Sequence, residues 1–170
     1  MPDLTPERLR EVLDYNRDTG VFVWAVPTNP RIKVGDVAGC VPERGYRLVR
    51  IDRHPYRAHR LAWLYVYGEW PAVQIDHING DRADNRLANL REATGAENMQ
   101  NQRRPQSNNQ SGFLGVRPSG GRWRAAIMVG GRKRYLGCFG TPEKASEAYV
   151  AAKRELHPFS TITQEIQDAG

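Results

Sequence analysis

An aspartate and a histidine stand side by side at Asp76 and His77, and asparagines follow at Asn79, Asn85, Asn89, Asn98 and Asn101. Asparagine is a turn and cap residue, so this density fits plain loop punctuation. The same residue types also carry chemistry. A hard cation such as Mg²⁺ takes oxygen ligands and keeps several waters, so one carboxylate, one amide oxygen and a substrate phosphate suffice to hold it. A histidine titrates near neutrality and can take a proton from an attacking water. The cation would stabilise the charge growing on the phosphate and the leaving oxygen. Together these are the parts of a phosphodiester hydrolase.

The elements around these residues must bring them together. "VQIDH" reads as a strand ending in the acid and the imidazole. "INGDRADNR" is a loop with two turn signals, in which Asn79, Gly80 and Asn85 read as turn residues, and "LANLREA" returns as a second strand. Thr94 stands three residues before Glu97, a capping-box spacing, so a helix starts there. Asn98 falls in its first turns, with Asn101 and Gln102 on the same face. Neighbouring strand residues point to opposite faces, so Asp76 and His77 converge only where the strand ends or kinks.

Upstream, Thr5-Pro6-Glu7 reads as an N-cap, a first-turn proline and an acidic first turn, opening a helix with Leu9, Val12 and Leu13 on one face. "VFVWAV" and "GYRLVRID" read as strands, "RHP" turns the chain back, and "RLAWLYVY" reads as a core helix ended by Gly68 and Pro71. His59 just precedes that helix, His54 reads as a solvated turn residue and His157 as incidental.

The totals narrow the class. The chain has 170 residues and a formal net charge of +6, with a pI near 9.6. That balance points to a polyanionic partner. No apolar run is long enough to span a membrane, and the N-terminus has no apolar signal core, so a soluble cytoplasmic protein is expected. Cys40 and Cys138 are isolated, which disfavours a structural zinc site or a disulfide framework.

After a polar stretch at "NQRRPQSNNQSG" the pattern changes. "FLGVRPS", "GRWRAAIMVGG" and "RKRYLGCFG" are three runs with glycine-rich turns, which predicts a three-stranded antiparallel meander. Thr141-Pro142-Glu143 then opens a helix with Ala145, Ala148, Tyr149, Ala152 and Leu156 on one face. From Asn98 through Pro142 there is no Asp or Glu, while Arg103, Arg104, Arg117, Arg122, Arg124, Arg132, Lys133 and Arg134 all fall there, with Trp123 and Tyr135 interleaved. Such one-sided charge neutralises phosphates. Arg122 and Arg124 share a strand face opposite Trp123, and Arg132 shares one with Arg134.

Two resemblances follow from these residues. "LDYNRDTGVFVW", "GY", "AHRLAW", "GEWP" and "IDHINGDRADNRLANLREAT", over residues 9 to 101, resemble HNH homing endonucleases of the phage and intron-encoded type, which have a ββα-metal fold. The resemblance implies His77 as general base, Asp76 and Asn98 as ligands of one divalent metal, and Asn89 as a brace of the loop. Asparagine in place of the usual helix histidine favours Mg²⁺, with Mn²⁺ possible, over zinc. His59 matches the family's "HR" pair; it and Asn85 are candidate accessory residues. "SGFLGVR", "GRWRAAI", "YLGCF" and "EKASEAYVAAKREL" resemble the plant ethylene-response-factor (APETALA-type) DNA-binding domain, a three-stranded sheet backed by one helix. This implies a DNA contact at Arg117, while Arg122, Trp123 and Tyr135 match basic or aromatic positions of that sheet. Leu114 and Met128 depart from the plant pattern, so its base preference does not transfer.

The expectation is thus an α+β protein. Residues 1–101 form the nuclease domain, with its ββα core over about 73–104; 102–111 are a linker, 112–158 a DNA-binding domain and 159–170 a tail. Double-stranded DNA is the expected partner, with no membrane. DNA contacts are expected from Arg103, Arg104, Arg117, Arg122, Trp123, Arg124, Arg132, Arg134 and Tyr135. One ββα site cuts one strand, so a monomer is expected to nick. The alternative is a DNA-binding regulator with an inactive core.

Overall fold

Local sequence chemistry sets the ends of most elements in the computed structural model, which describes residues 4–161 except 28, 44, 106 and 107. The chain is α+β and divides into two units, Met1–Thr94 and Gly95–Gly170. Each is built on small antiparallel sheets with helices. No helix among the described residues is long and apolar enough to cross a membrane.

In the first unit, α1 (Pro6–Val12) starts where Thr5 Oγ1 accepts from the Arg8 amide at 3.2 Å, with proline in the first turn. Such a cap stabilises by about 1 kcal/mol. The helix ends one residue earlier than its apolar spacing predicts. Leu13 instead opens β1 (Leu13–Tyr15), which pairs with β2 (Phe22–Trp24). Leu13 and Tyr15 are buried on either side of exposed Asp14, so alternation overrides helical spacing. β3 (Leu48–Ile51) and β4 (His54–Arg57) form a second hairpin. Its two-residue loop is Asp52–Arg53, both with positive φ, as a turn matching strand twist requires. Arg8 donates twice to the Asp52 carboxylate, at 2.9 and 3.0 Å, and so ties α1 to that loop.

α2 (Ala58–Tyr67) ends at Gly68 in the left-handed conformation. Arg10 on α1 donates to the Tyr65 carbonyl in its last turns at 2.7 and 3.1 Å. Leu9, Leu13, Phe22, Val49, Leu61 and Leu64 fill the core, with Ile75 and Leu90 at its margin. Those last two belong to β5 (Gln74–His77) and β6 (Leu90–Ala93), the hairpin that carries the candidate site.

The second unit opens with the short helix α3 (Gly95–Gln100). Then β7 (Val116–Ser119), β8 (Arg122–Val129) and β9 (Arg132–Phe139) form a meander in that order. Both turns are glycine pairs, Gly120–Gly121 and Gly130–Gly131, and all four glycines have positive φ. α4 (Pro142–Leu156), capped by Thr141, packs on the sheet. Val116, Ala125 and Ala145 are fully buried between them, bordered by Phe113, Trp123, Leu136 and Phe139.

The alanine stripe of α4 does not account for its most buried polar residue. Lys153 is fully buried, and its ammonium donates to the Gln102 carbonyl at 2.5 Å. Burial, with Arg103 nearby, lowers its pKa to about 8. Residues on both sides of Gln102 are held as well. Asn101 Oδ1 accepts from Thr161 Oγ1 at 2.9 Å, and the Arg103 guanidinium donates to Thr161 Oγ1. His157, read as incidental, is buried with Nε2 2.6 Å from the Met128 carbonyl oxygen.

Candidate active site

β5 ends at His77, and Ile75, Asp76 and His77 are all buried. The chain turns at once: the Gly80 amide donates to the His77 carbonyl at 2.8 Å. The return strand places Arg91 opposite Asp76 and Leu90 opposite His77. Arg91 donates to Asp76 Oδ2 from Nε at 3.0 Å and from Nη2 at 2.8 Å. Both partners are largely shielded from solvent, with side-chain exposures of 23% and 7%. Removing one member of such a pair leaves a buried charge and costs about 3–5 kcal/mol.

The loop between the strands is stitched by its own polar side chains. Asn89 Oδ1 accepts from the Asn79 amide at 2.9 Å, and Asn89 Nδ2 donates to the Asp84 carbonyl at 2.8 Å. Asn79 Nδ2 donates to Asp84 Oδ2 at 2.7 Å. Arg86 pairs with Asp84 at 2.6 Å and holds that carboxyl below its usual range. Asn89 therefore spans both ends of the loop.

Asn85 faces the imidazole of His77. It is 1% exposed, and its Oδ1 lies 3.4 Å from His77 Nε2. Its Nδ2 donates to the Ala83 carbonyl at 2.9 Å. That second bond fixes which end of the amide points at the imidazole. An oxygen facing Nε2 requires the proton on Nε2, which leaves the lone pair on Nδ1. Burial lowers the His77 pKa below its ordinary value, against the opposing pull of Asn85 and nearby carboxylates including Asp76. A neutral imidazole is the state of a base.

Asn85 is itself held by the β1–β2 hairpin. The Tyr15 hydroxyl donates to the Asn85 carbonyl at 2.7 Å. The Leu87 amide donates to the Arg17 carbonyl at 3.1 Å. Gly20 packs so closely that a Cβ there would stand 2.3 Å from the Arg86 nitrogen. No side chain fits that approach.

Around His77 lies a group of rings. The His59 ring is 5.0 Å away and nearly perpendicular, at 85°. Tyr46 lies 6.0 Å from His77 and 5.3 Å from His59. His59 is buried, and its pKa falls to about 3, chiefly from burial and then from His77, Arg57 and Arg60. It is a neutral packing partner. Sequence spacing alone does not point to Arg91 or Tyr46. Only the hairpin register reveals Arg91, while "GY" at Gly45-Tyr46 was the sequence signal for Tyr46. Asn98 lies half-buried on α3, in the second unit.

In the second unit, the strand register sorts the basic residues. Arg117 pairs with Arg124, and Arg122 with Ser119. Tyr135 pairs with Ala126 and Lys133 with Met128. Paired residues share a face, so Arg117, Arg122, Arg124, Lys133 and Tyr135 stand on one face, and all are exposed. The Arg124 guanidinium lies 5.8 Å from the Tyr135 ring centroid. Trp123 belongs to the opposite face, against the core. Arg132 and Arg134 pair with Val129 and Ile127, also on that opposite face, though exposed. Arg103 is half-buried on Thr161, and Arg104 is exposed.

Residues 56–100 match the model of the HNH endonuclease family. That stretch runs from within β4 through α3 and contains Asp76, His77, Asn85, Asn89 and Asn98. A solved structure of the HNH homing endonuclease I-HmuI, described for DNA binding and cleavage, is similar with a TM-score of 0.41 and 22% identity over 54% of this chain and 51% of that one. The match thus spans about half the length of that protein. No curated protein matches the chain.

Proposed function

We propose that the chain is a divalent-metal-dependent DNA endonuclease that nicks one strand by hydrolysing a phosphodiester bond. The observation that carries this reading is the pair His77 and Asn85: a buried neutral imidazole whose Nε2 faces an amide oxygen held in place by a second bond. In the proposed reaction His77 Nδ1 takes a proton from water as the water oxygen bonds to phosphorus. The bond from phosphorus to the leaving sugar oxygen breaks, that oxygen takes a proton from a solvent water, and His77 returns its own proton to solvent.

Asp76 and Asn98 are proposed to hold the metal. Their carboxylate and amide oxygens are hard donors that suit Mg²⁺ or Mn²⁺. Among the described residues no three His, Cys, Asp or Glu side chains gather into a metal cage. That fits a cation completed by water and DNA phosphate rather than by protein alone. When bound, the cation supplies charge stabilisation at the phosphate and at the leaving oxygen. Asn89 braces the loop, and Asn85 sets the tautomer of His77.

Residues 1–101 are proposed as the nuclease domain and 112–158 as an ethylene-response-factor-like domain that grips double-stranded DNA through Arg117, Arg122, Arg124 and Tyr135. Tethering a binding sheet to a cutting site raises the local concentration of duplex. The protein is proposed to act as a cytoplasmic monomer.

Nicking of supercoiled plasmid with Mg²⁺, comparing wild type with His77→Ala, tests the reading. The wild type is expected to nick and the variant to lose about 100-fold or more in rate while still binding. A wild type that binds plasmid tightly but leaves it intact with both Mg²⁺ and Mn²⁺ would instead be a DNA-binding regulator.

A further inference from the structure

The arginines of the first unit differ in what holds them; Arg10 and Arg47, for example, donate to backbone carbonyls. Arg8, Arg86 and Arg91 are each paired with a carboxylate, on Asp52, Asp84 and Asp76. Arg57 is different: among the described residues no carboxylate pairs with it. Its guanidinium lies 4.8 Å from the ring centroid of Tyr46. The Arg82 guanidinium lies 4.9 Å from the same centroid. That ring is in turn 6.0 Å from the ring of His77. Two cations thus share one aromatic ring beside the candidate base.

The position of Arg57 sharpens the point. It is the N-cap residue of α2, a helix with no side-chain cap bond and no acidic residue in its first turn. Helix N-termini carry partial positive charge and favour Asp, Ser or Thr. An arginine there adds charge of the wrong sign, and Arg60 follows in the first turn. The cost is recovered when an anion arrives. Arg57 and Arg82 are both exposed, so solvent-borne anions can reach them. The Arg57 guanidinium, lying on an aromatic face, keeps its N–H edge for hydrogen bonds, and that edge matches two oxygens of a phosphate. Tyr46 therefore serves as a platform that orders two flexible side chains before the ligand binds.

We propose that Arg57 and Arg82, seated on Tyr46, form a contact for a DNA phosphate next to His77. This rests on the nuclease reading of that histidine and adds to it the groups that grip the strand to be cut. Tyr46 lies outside residues 56–100, the stretch that matches the HNH family. The contact belongs to the first unit, whereas the basic sheet belongs to the second.

The experiment uses the full chain and a short DNA duplex. Arg57→Gln/Arg82→Gln is compared with wild type and with Arg31→Gln/Arg50→Gln, which removes the same charge elsewhere on the unit. Two quantities are read: single-turnover nicking with Mg²⁺, and the dependence of duplex affinity on salt. The Arg57/Arg82 variant is expected to nick about 100-fold more slowly. Its log–log salt slope should become shallower by about one to two units. The control should keep the wild-type rate. Arg57→Lys/Arg82→Lys retains charge without the planar fork, and should restore the salt slope but only part of the rate. A variant that lost its fold would not bind with a shallower slope and be corrected in slope by lysine. Unchanged slope and rate in Arg57→Gln/Arg82→Gln would overturn the proposal. If the wild type itself does not nick, the nuclease reading fails, and the salt slope alone still decides whether the arginine pair holds phosphate.

Discussion

Asn85 presents its side-chain oxygen to His77 Nε2 at 3.4 Å while its nitrogen is committed to the Ala83 carbonyl. The amide therefore has one orientation, and the imidazole one tautomer. The β1–β2 hairpin, through Tyr15, supports Asn85 from a distance of 70 residues along the chain.

Replacing Asn85 tests that relationship. Asn85→Leu keeps similar bulk and removes the oxygen, so His77 loses the partner that selects Nε2–H. Nicking should fall by about tenfold to 100-fold, with duplex affinity unchanged. Asn85→Asp should raise the His77 pKa, because a carboxylate favours the imidazolium, and so shift the pH–rate profile upward. A wild-type profile in Asn85→Asp would remove Asn85 from the machinery.

Acid should destabilise the first unit. His59 is neutral when folded, with a pKa near 3, whereas the unfolded chain titrates near the ordinary 6.5. The unfolded state binds more protons between those values, so stability is full above about pH 6.5 and falls as pH drops toward 3. At about pH 5 the loss from His59 is about 2 kcal/mol. His77 adds in the same direction. Urea midpoints of wild type and His59→Leu across this range measure it, and the variant should show the weaker pH dependence.

Lys153 should act at the alkaline end. Its folded pKa is about 8, against the ordinary 10.5, so the folded state sheds the proton first. The penalty of the buried charge is fully present below about 8 and is relieved as pH rises toward 10.5. Thermal unfolding of Lys153→Met should lose this rise. Faster amide exchange near Gln102 in the variant would report the loss of its anchor.

The sheet makes a prediction that distinguishes its faces. Arg117→Ala with Arg124→Ala removes cross-strand neighbours from the exposed face. Duplex affinity should fall and the salt slope should become shallower by about two units. Arg132→Ala with Arg134→Ala removes equal charge from the other face and should do less. Equal effects would mean that the face set by strand pairing does not decide which arginines meet DNA.

Much of this architecture is legible in the residues. Thr5 and Thr141 announce helix starts, and the paired glycines at Gly120 and Gly130 announce tight turns. The strand, loop, strand and helix from Gln74 to Gln100 follow the order that the turn signals indicate. What the sequence hides depends on closure in space. Asn85 reads as a turn residue because the same amide that turns a loop also bonds across it. Its approach to His77, and the Tyr15 and Gly20 contacts that hold its backbone, arise only in the folded chain. Arg91 needs the register of the hairpin, and Leu13 is ambiguous because it satisfies both helical and strand spacing. Lys153 breaks the rule that charges lie outside, and nothing in its neighbours announces the Gln102 carbonyl.

The short helix α3 begins the second unit, and Asn101, Gln102 and Arg103 just beyond it are bonded to Lys153 and Thr161. That has a consequence for heredity. On the proposed roles, a recombination event that exchanged everything after Thr94 would carry away Asn98, the proposed metal ligand, together with the proposed DNA-binding sheet. A core joined to a different module would then have to keep α3 or regain an asparagine in its place.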